Sequence, residues 1–242
     1  KAAGAHPLDK LLNPDKNNTA FITRNRDMVR RITVAPDLAG APFVTALCSS
    51  LGIQVSIGHD GSIDDEIYAC IEAGASSVTH MGNCTSHASR RYPSPKKHLG
   101  LFETALADDR LVCEVIADDR HVPDPLFKIF YRLKGKDGIC FVSDSLSVAG
   151  MKDGDYFLGS GESAQAIRIE DGVAVLPDKH TYAGSVTPVS RMVSRLYEQG
   201  YPAEDLLTMA TLTPAKLTGL TDRGDIKPGL LADINLLDER LN

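Results

Sequence analysis

The sequence has no excess of basic residues: 26 lysines and arginines face 32 aspartates and glutamates, leaving a formal charge of −6. That balance argues against a general nucleic-acid binder, whose surface would normally be basic. No apolar stretch approaches the roughly 18 residues of a membrane span, so no membrane partner is expected, and no signal-peptide pattern opens the chain. The five cysteines (Cys48, Cys70, Cys84, Cys113 and Cys140) are odd in number and scattered. They do not form a disulfide framework, and free buried thiols in a reducing compartment are the simplest account. A cytoplasmic protein is therefore expected. Repeats, low-complexity tracts and an interdomain linker are also missing. So is an initiator methionine: Lys1-Ala2-Ala3-Gly4-Ala5-His6-Pro7 reads like the interior of a loop, which suggests a processed or truncated chain.

What is there is the composition of a soluble globular protein, 43% hydrophobic and 24% charged over 242 residues. That length can bury one α/β barrel core or those of two ordinary domains. Arg31-Ile32-Thr33-Val34-Ala35-Pro36 predicts a first strand, with a helix near 42–51 after it. Ile53-Gln54-Val55-Ser56-Ile57-Gly58-His59 predicts a second strand. Ser62 then reads as an N-cap, with Asp64, Asp65 and Glu66 in the first helical turn. Further strands are predicted at Ser76-Ser77-Val78-Thr79-His80, at Leu111-Val112-Cys113-Glu114-Val115-Ile116-Ala117 and at Ile139-Cys140-Phe141-Val142-Ser143-Asp144. Short runs rich in β-branched residues, bounded by glycine or polar segments, are the pattern of buried parallel strands. A helix over 125–134 precedes the last of them.

Between 151 and 183 the helical signal gives way to alternating segments. These predict a β-hairpin excursion that turns at Glu170-Asp171-Gly172. Helices resume near 188–199 and 203–217, and Ala232-Asp233-Ile234-Asn235-Leu236-Leu237 predicts a closing strand. Five or six strand-helix units are fewer than the eight of a closed barrel. One or two strands are thus expected upstream of Lys1 or from a source outside this sequence.

His59, His80 and Asp144 each end a predicted strand. In an α/β barrel the C-terminal strand ends converge on one mouth, where catalytic groups sit. Imidazole nitrogens suit zinc, and iron or manganese also accept them. Gly58 would allow close approach before His59. A third protein ligand is not obvious: His121 and Asp144 could supply one, but both suit supporting or proton-transfer roles equally. Asp144 could take a proton from an attacking water and deliver it to a leaving group. The basic loop holding Arg90, Arg91, Lys96 and Lys97 lies near the proposed site and suits an anionic ligand such as a phosphate, or is simply a solvated loop.

These motifs together resemble the N-acetylglucosamine-6-phosphate deacetylase family of the amidohydrolase superfamily. Gly4-Ala5-His6 is similar to its Gly-x-His motif, Val34-Ala35-Pro36-Asp37 to its Leu-Ala-Pro-Glu strand, and Gly58-His59-Asp60 to its Gly-His-Ser/Thr motif. Thr79-His80-Met81-Gly82-Asn83-Cys84-Thr85 is similar to Thr-His-x-x-Asn-Ala-Met. The stretches 117–122 and 142–145 resemble Ala-Asp-Gly-x-His-Val and Val-Thr-Asp-Ala, and the tail from Met209 to Asp233 is similar to the end of many amidohydrolases. Departures cluster near the proposed site: Asp60, Gly82, Cys84 and the run Ser145-Leu146-Ser147.

The resemblance implies a (β/α)8 TIM-type barrel over 1–231, lacking N-terminal strands, and a remnant of a small β-sandwich domain over 232–242. It implies a divalent metal, zinc first, held by His59 and His80. Asp144 becomes the acid/base, and His6 helps polarise the amide carbonyl. His121 contacts the sugar. Asn83, the neighbouring backbone at Cys84, and Arg91 hold the phosphate, the arginine coming from the other subunit of a homodimer. The third ligand is a glutamate in a His-x-Glu-Gly-Pro motif that would precede Lys1. The implied reaction is deacetylation of N-acetylglucosamine 6-phosphate or a close amino-sugar phosphate. Alternatives are hydrolysis of a cyclic amide or an N-acyl amino acid, or a catalytically inactive scaffold.

Overall fold

The computed structural model describes residues 2–90, 95–161, 164–177 and 181–241. Its elements begin with α1 (Lys16–Arg24), β1 (Arg31–Val34), α2 (Ala41–Ser50), β2 (Gln54–Ile57), α3 (Asp64–Glu72) and β3 (Ala75–Val78). A short ribbon, β4 (Ser89–Arg90) and β5 (Lys97–His98), leads to α4 (Leu101–Ala107), β6 (Val112–Val115), α5 (Asp124–Lys134) and β7 (Ile139–Phe141). Then come β8 (Gly154–Leu158), β9 (Gln165–Glu170), β10 (Val173–Leu176) and β11 (Thr181–Ser185). The helices α6 (Val189–Glu198), α7 (Ala203–Ala210) and α8 (Leu212–Leu217) follow.

Five parallel strands in the order β1-β2-β3-β6-β7 form the central sheet. Helices link successive strands, as parallel pairing requires. Their apolar faces lie against the sheet: Ala41, Val44 and Cys48 on α2, Ile67 and Ile71 on α3, Phe127 and Phe130 on α5. These side chains belong to one buried cluster that also takes in Val55, Ile57, Val78 and Val115 from the strands and Met192 and Met209 from α6 and α7. Phe127 is its aromatic hub, packed on Tyr131, Phe141 and Tyr201.

The excursion is larger than one hairpin. It is a four-stranded antiparallel sheet, β11-β10-β9-β8, with its own small core of Val148, Ile167, Ile169, Ala174 and Leu176. The turn between β9 and β10 falls at Asp171-Gly172, as predicted. The sheet is tied back to the barrel strands at Asp144, whose carbonyl accepts from Ser185 N at 2.9 Å, and Leu146 N donates to Ser185 O at 3.1 Å.

Three local expectations are corrected. Ser62 does not cap α3: its hydroxyl bonds the Asp60 carboxylate, and Glu66 instead satisfies Ile63 N at 3.0 Å. The helix expected over 203–217 is two, broken at Thr211 (ψ −71°). The closing strand at 232–237 is not formed. No strand of the described residues pairs with it, and Ile234 and Leu236 are exposed; an extended segment without a ladder partner stays irregular. Two helices escaped the sequence reading, α1 and α4. Asp15, which accepts from Asn17 N and Asn18 N, was the available signal for the first.

Candidate functional site

His59 and His80 follow β2 and β3, adjacent parallel strands whose register aligns Ile57 with Val78. Alignment of neighbouring strand ends puts both imidazoles on one rim. Their Nε2 atoms lie 2.9 Å apart, and the rings meet nearly edge to face with centroids at 4.7 Å. Gly58 makes this approach possible: a Cβ there would come within 3.0 Å of Thr79 Cβ. His59 Nδ1 is 2.8 Å from Ala2 O. A carbonyl only accepts, so Nδ1 carries the proton and Nε2 presents its lone pair. Burial and the charge of His80 push the His59 pKa down; burial also lowers that of His80, against the opposing pull of Asp144. Both rings are thereby kept in the neutral form that binds metal.

Asp144 follows β7 and is exposed to the same cavity of about 770 Å³, which His6, His59 and His80 also line. The His6 ring sits 5.1 Å from that of His59. The structure thus brings together His6, His59, His80 and Asp144. All three strand-end residues have positive φ: 53° at His59, 29° at His80 and 48° at Asp144. Left-handed backbone at non-glycine residues costs about 1–2 kcal/mol each and concentrates where function demands it.

The donor set supports two ligands of one ion. The 2.9 Å gap between the two Nε2 atoms is within reach of two zinc–nitrogen bonds of about 2.0–2.1 Å. Among the described residues, no cluster of three His, Cys, Asp or Glu side chains could hold a metal.

His121 is buried beside this group. Its Nδ1 lies 2.8 Å from Asp118 Oδ2, and Ser185 Oγ reaches the same oxygen at 3.4 Å. Burial alone would raise the Asp118 carboxyl. The hydrogen bond and charge of His121, with the Arg120 and His121 backbone N–H groups, more than offset it and hold the carboxyl below its usual range. The ionised carboxylate fixes the proton on Nδ1, and the buried Nε2 is left without a hydrogen-bond partner. Tyr182, on β11, packs its ring 4.7 Å from the imidazole.

Asn83 and Cys84 lie on the loop after His80, where Asn83 N and Nδ2 donate to His80 O at 3.0 and 3.3 Å. Cys84 Sγ and His59 Cε1 flank Gly4, each within 3.2 Å of where a Cβ would stand. Arg91 lies outside the described residues. Asp60, a departure from the family pattern, is a buried tie: its carboxylate accepts from Ser62 and from Ser86 N and Oγ at 3.0 and 2.6 Å. It pins the 83–86 loop to the end of β2. The sequence reading missed Asp118, Glu114 and Arg31 as site supports. Their signal was available, charged residues within or next to apolar strands.

The chain matches the family model described as "Amidohydrolase family" over residues 38–242, a family whose enzymes generally depend on divalent metal. It is 29% identical over 241 residues to an N-acetylglucosamine-6-phosphate deacetylase of Lysinibacillus sphaericus, covering 99% of this chain and 59% of the relative. It is 28% identical to an N-acetylgalactosamine-6-phosphate deacetylase of Escherichia coli O157:H7, covering 99% and 61%. Among solved structures, the N-acetylglucosamine-6-phosphate deacetylase of Thermotoga maritima superposes with a TM-score of 0.88 at 28% identity, over 100% of this chain and 62% of that one. A variant of the Mycobacterium smegmatis deacetylase, in complex with N-acetyl-D-glucosamine-6-phosphate, gives 0.87 at 27%, over 99% and 62%. The chain spans about three fifths of the length of these relatives. Family model and shared chain path agree: this chain belongs to the amidohydrolase family, and its parallel sheet is an arc of that family's (β/α)8 barrel.

Proposed function

We propose that this chain carries the core of a metal-dependent deacetylase. Its substrate would be N-acetylglucosamine 6-phosphate or a close amino-sugar phosphate, split by water into acetate and the free amino-sugar phosphate. The observation that carries this reading is the convergence of the two imidazole Nε2 atoms, 2.9 Å apart, in a cavity that His6 and Asp144 also line. The substrate class is supported by the names of the relatives, which include both the gluco and the galacto epimer.

His59 and His80 would hold the divalent ion, zinc first, with a glutamate of a His-x-Glu-Gly-Pro motif as the third ligand. When bound, such an ion polarises a carbonyl and makes water more acidic near neutral pH. Asp144 accepts a proton from the attacking water and returns it to the departing amine, so no net proton is left on the enzyme. His6 borders the cavity where the acetamide oxygen would lie. His121, held by Asp118 through Nδ1, would meet a sugar hydroxyl with its Nε2. Asn83, the Cys84 backbone and Arg91 would hold the phosphate, with Arg91 supplied across a homodimer. A cytoplasmic location fits a phosphorylated substrate, and no described helix is long and apolar enough to cross a membrane.

The test is acetate release from N-acetylglucosamine 6-phosphate by the metal-loaded protein, compared with Asp144→Asn. Loss of the acid/base should lower kcat by about 10²–10⁴-fold while metal content stays at the wild-type level. Near-normal turnover by the variant would sink the assignment.

A further inference from the structure

One buried ionisable group has no part in the chemistry above. Glu114 sits in the middle of β6 with its side chain 3% exposed, facing the concave side of the sheet. Its carboxylate is paired with the Arg31 guanidinium at the start of β1, and Ser77 Oγ donates to its other oxygen at 2.7 Å. β1 and β6 are not neighbours: β2 and β3 lie between them. On a flat sheet, strands three steps apart are about 14 Å from each other and their side chains stand parallel. The ion pair can close only because the sheet curves, so it acts as a chord across the arc.

The same guanidinium reaches Thr79, the residue before His80. Arg31 Nη2 donates to Thr79 Oγ1 at 3.3 Å, Thr33 Oγ1 lies 3.0 Å from the same oxygen, and Thr79 Oγ1 donates to Ser56 Oγ at 2.7 Å. The backbone of Glu114 also touches the site loop, accepting from Met81 N at 2.6 Å. Residues of β1, β2, β3 and β6 are thus laced together one layer beneath the two histidines. His59 and His80 meet in strained backbone, which persists only where surrounding structure holds it.

We propose that the Arg31–Glu114 pair, joined to His80 through Thr79, is a positioning strut. It sets the curvature of the arc and thereby the distance between His59 and His80. The proposal rests on the reading of those two histidines as metal ligands. Arg31 borders the cavity that His59, His80 and Asp144 also line, while Glu114 is buried; both act on the two histidines through the strand ends.

The experiment measures cobalt(II) affinity and the visible spectrum of the cobalt-loaded full chain, with kcat and KM alongside. Arg31→Met alone strands a buried carboxylate and destabilises the fold, so the deciding variant is Arg31→Met with Glu114→Met. Replacing both members of a buried ion pair by apolar residues is often neutral or stabilising for the fold. The double variant should melt near the wild-type temperature yet bind cobalt about 10–100-fold more weakly, with an altered spectrum and a lower kcat at unchanged KM. Thr79→Val, nearly isosteric, should weaken cobalt binding in the same direction, and it decides the question if the double variant does not fold. Wild-type affinity and spectrum in the deciding variant overturn the strut and leave the ligand assignment standing. A wild-type chain that binds no cobalt overturns the ligand assignment and the strut with it.

Discussion

The two sheets of this molecule use left-handed backbone for different ends. Among the described non-glycine residues of the antiparallel excursion it falls on Asp171 (φ 50°), which with Gly172 (φ 76°) makes the two-residue loop between β9 and β10. With both residues at positive φ such a loop follows the strand twist, and Asp-Gly is a residue pair that tolerates it. At the strand ends of the parallel arc it falls on His59, His80 and Asp144, just past β2, β3 and β7, while Asp64, Cys84 and Asp119 also adopt it. Turn chemistry does not ask for histidine at such a position. At Asp171 the left-handed backbone serves the chain path, whereas at His59, His80 and Asp144 it serves the placement of side chains.

Their cores differ in the same sense. Strands β2, β3, β6 and β7 of the arc are nearly continuously buried, β1 is half open, and the concave side is polar, with Arg31, Thr33, Ser56, Ser77, Thr79 and Glu114 bonded to one another. In the excursion, β9 alternates buried and exposed residues, burying Ile167 and Ile169 with Ala174 and Leu176 of β10. The excursion is a one-faced sheet with a self-contained apolar layer, attached to the arc near Asp144.

If the two regions are separate packing units, cutting one core should not loosen the other equally. Phe127→Ala, in the arc, should cost about 3–5 kcal/mol of global stability, read as a lower urea midpoint. Ile167→Ala, in the excursion, should cost about 2–5 kcal/mol, and hydrogen exchange should show the loss confined to 154–185. Equal loss of protection in both sheets would merge them into one cooperative unit.

A smaller effect probes the seam at His121. Asp118 has its pKa lowered in the folded chain, so its stabilisation is present above the ordinary carboxylate pKa of about 3.9. It is lost as pH falls through the lowered native value. Asp118→Asn should cost about 1.5–3 kcal/mol at neutral pH and flatten this acid limb in urea titrations. An unchanged limb would remove Asp118 from the seam. The smallest effect is expected in the excursion's turn. Gly172→Ala should cost about 1 kcal/mol, with cobalt binding untouched, because a Cβ there meets nothing within 4 Å and the turn does not line the cavity of the histidines.

Much of this was legible in the chain. Runs of β-branched residues ending in His59, His80 and Asp144 foretold parallel strands and a shared rim, and the structure forms both, with shorter strands. Asp171-Gly172 announced its turn because the signal is local. Ser62 misled for a physical reason: a serine can cap a helix or bond a neighbouring carboxylate, and here it bonds Asp60, whose position folding fixes by bringing Ser86 to the same carboxylate. The strand expected at 232–237 failed because strand pattern needs a partner edge, which periodicity cannot supply.

The sequence by itself determined the order of the elements, the residues at the strand ends and the family to which they point. Those are properties of short segments, where side-chain type and spacing act directly on the backbone. Tertiary structure alone decided the 2.9 Å meeting of the two imidazoles, the proton position on His59 set by Ala2, and the chord from Arg31 to Glu114. Each depends on how far the sheet curves, and curvature is set jointly by strands that are distant in the chain.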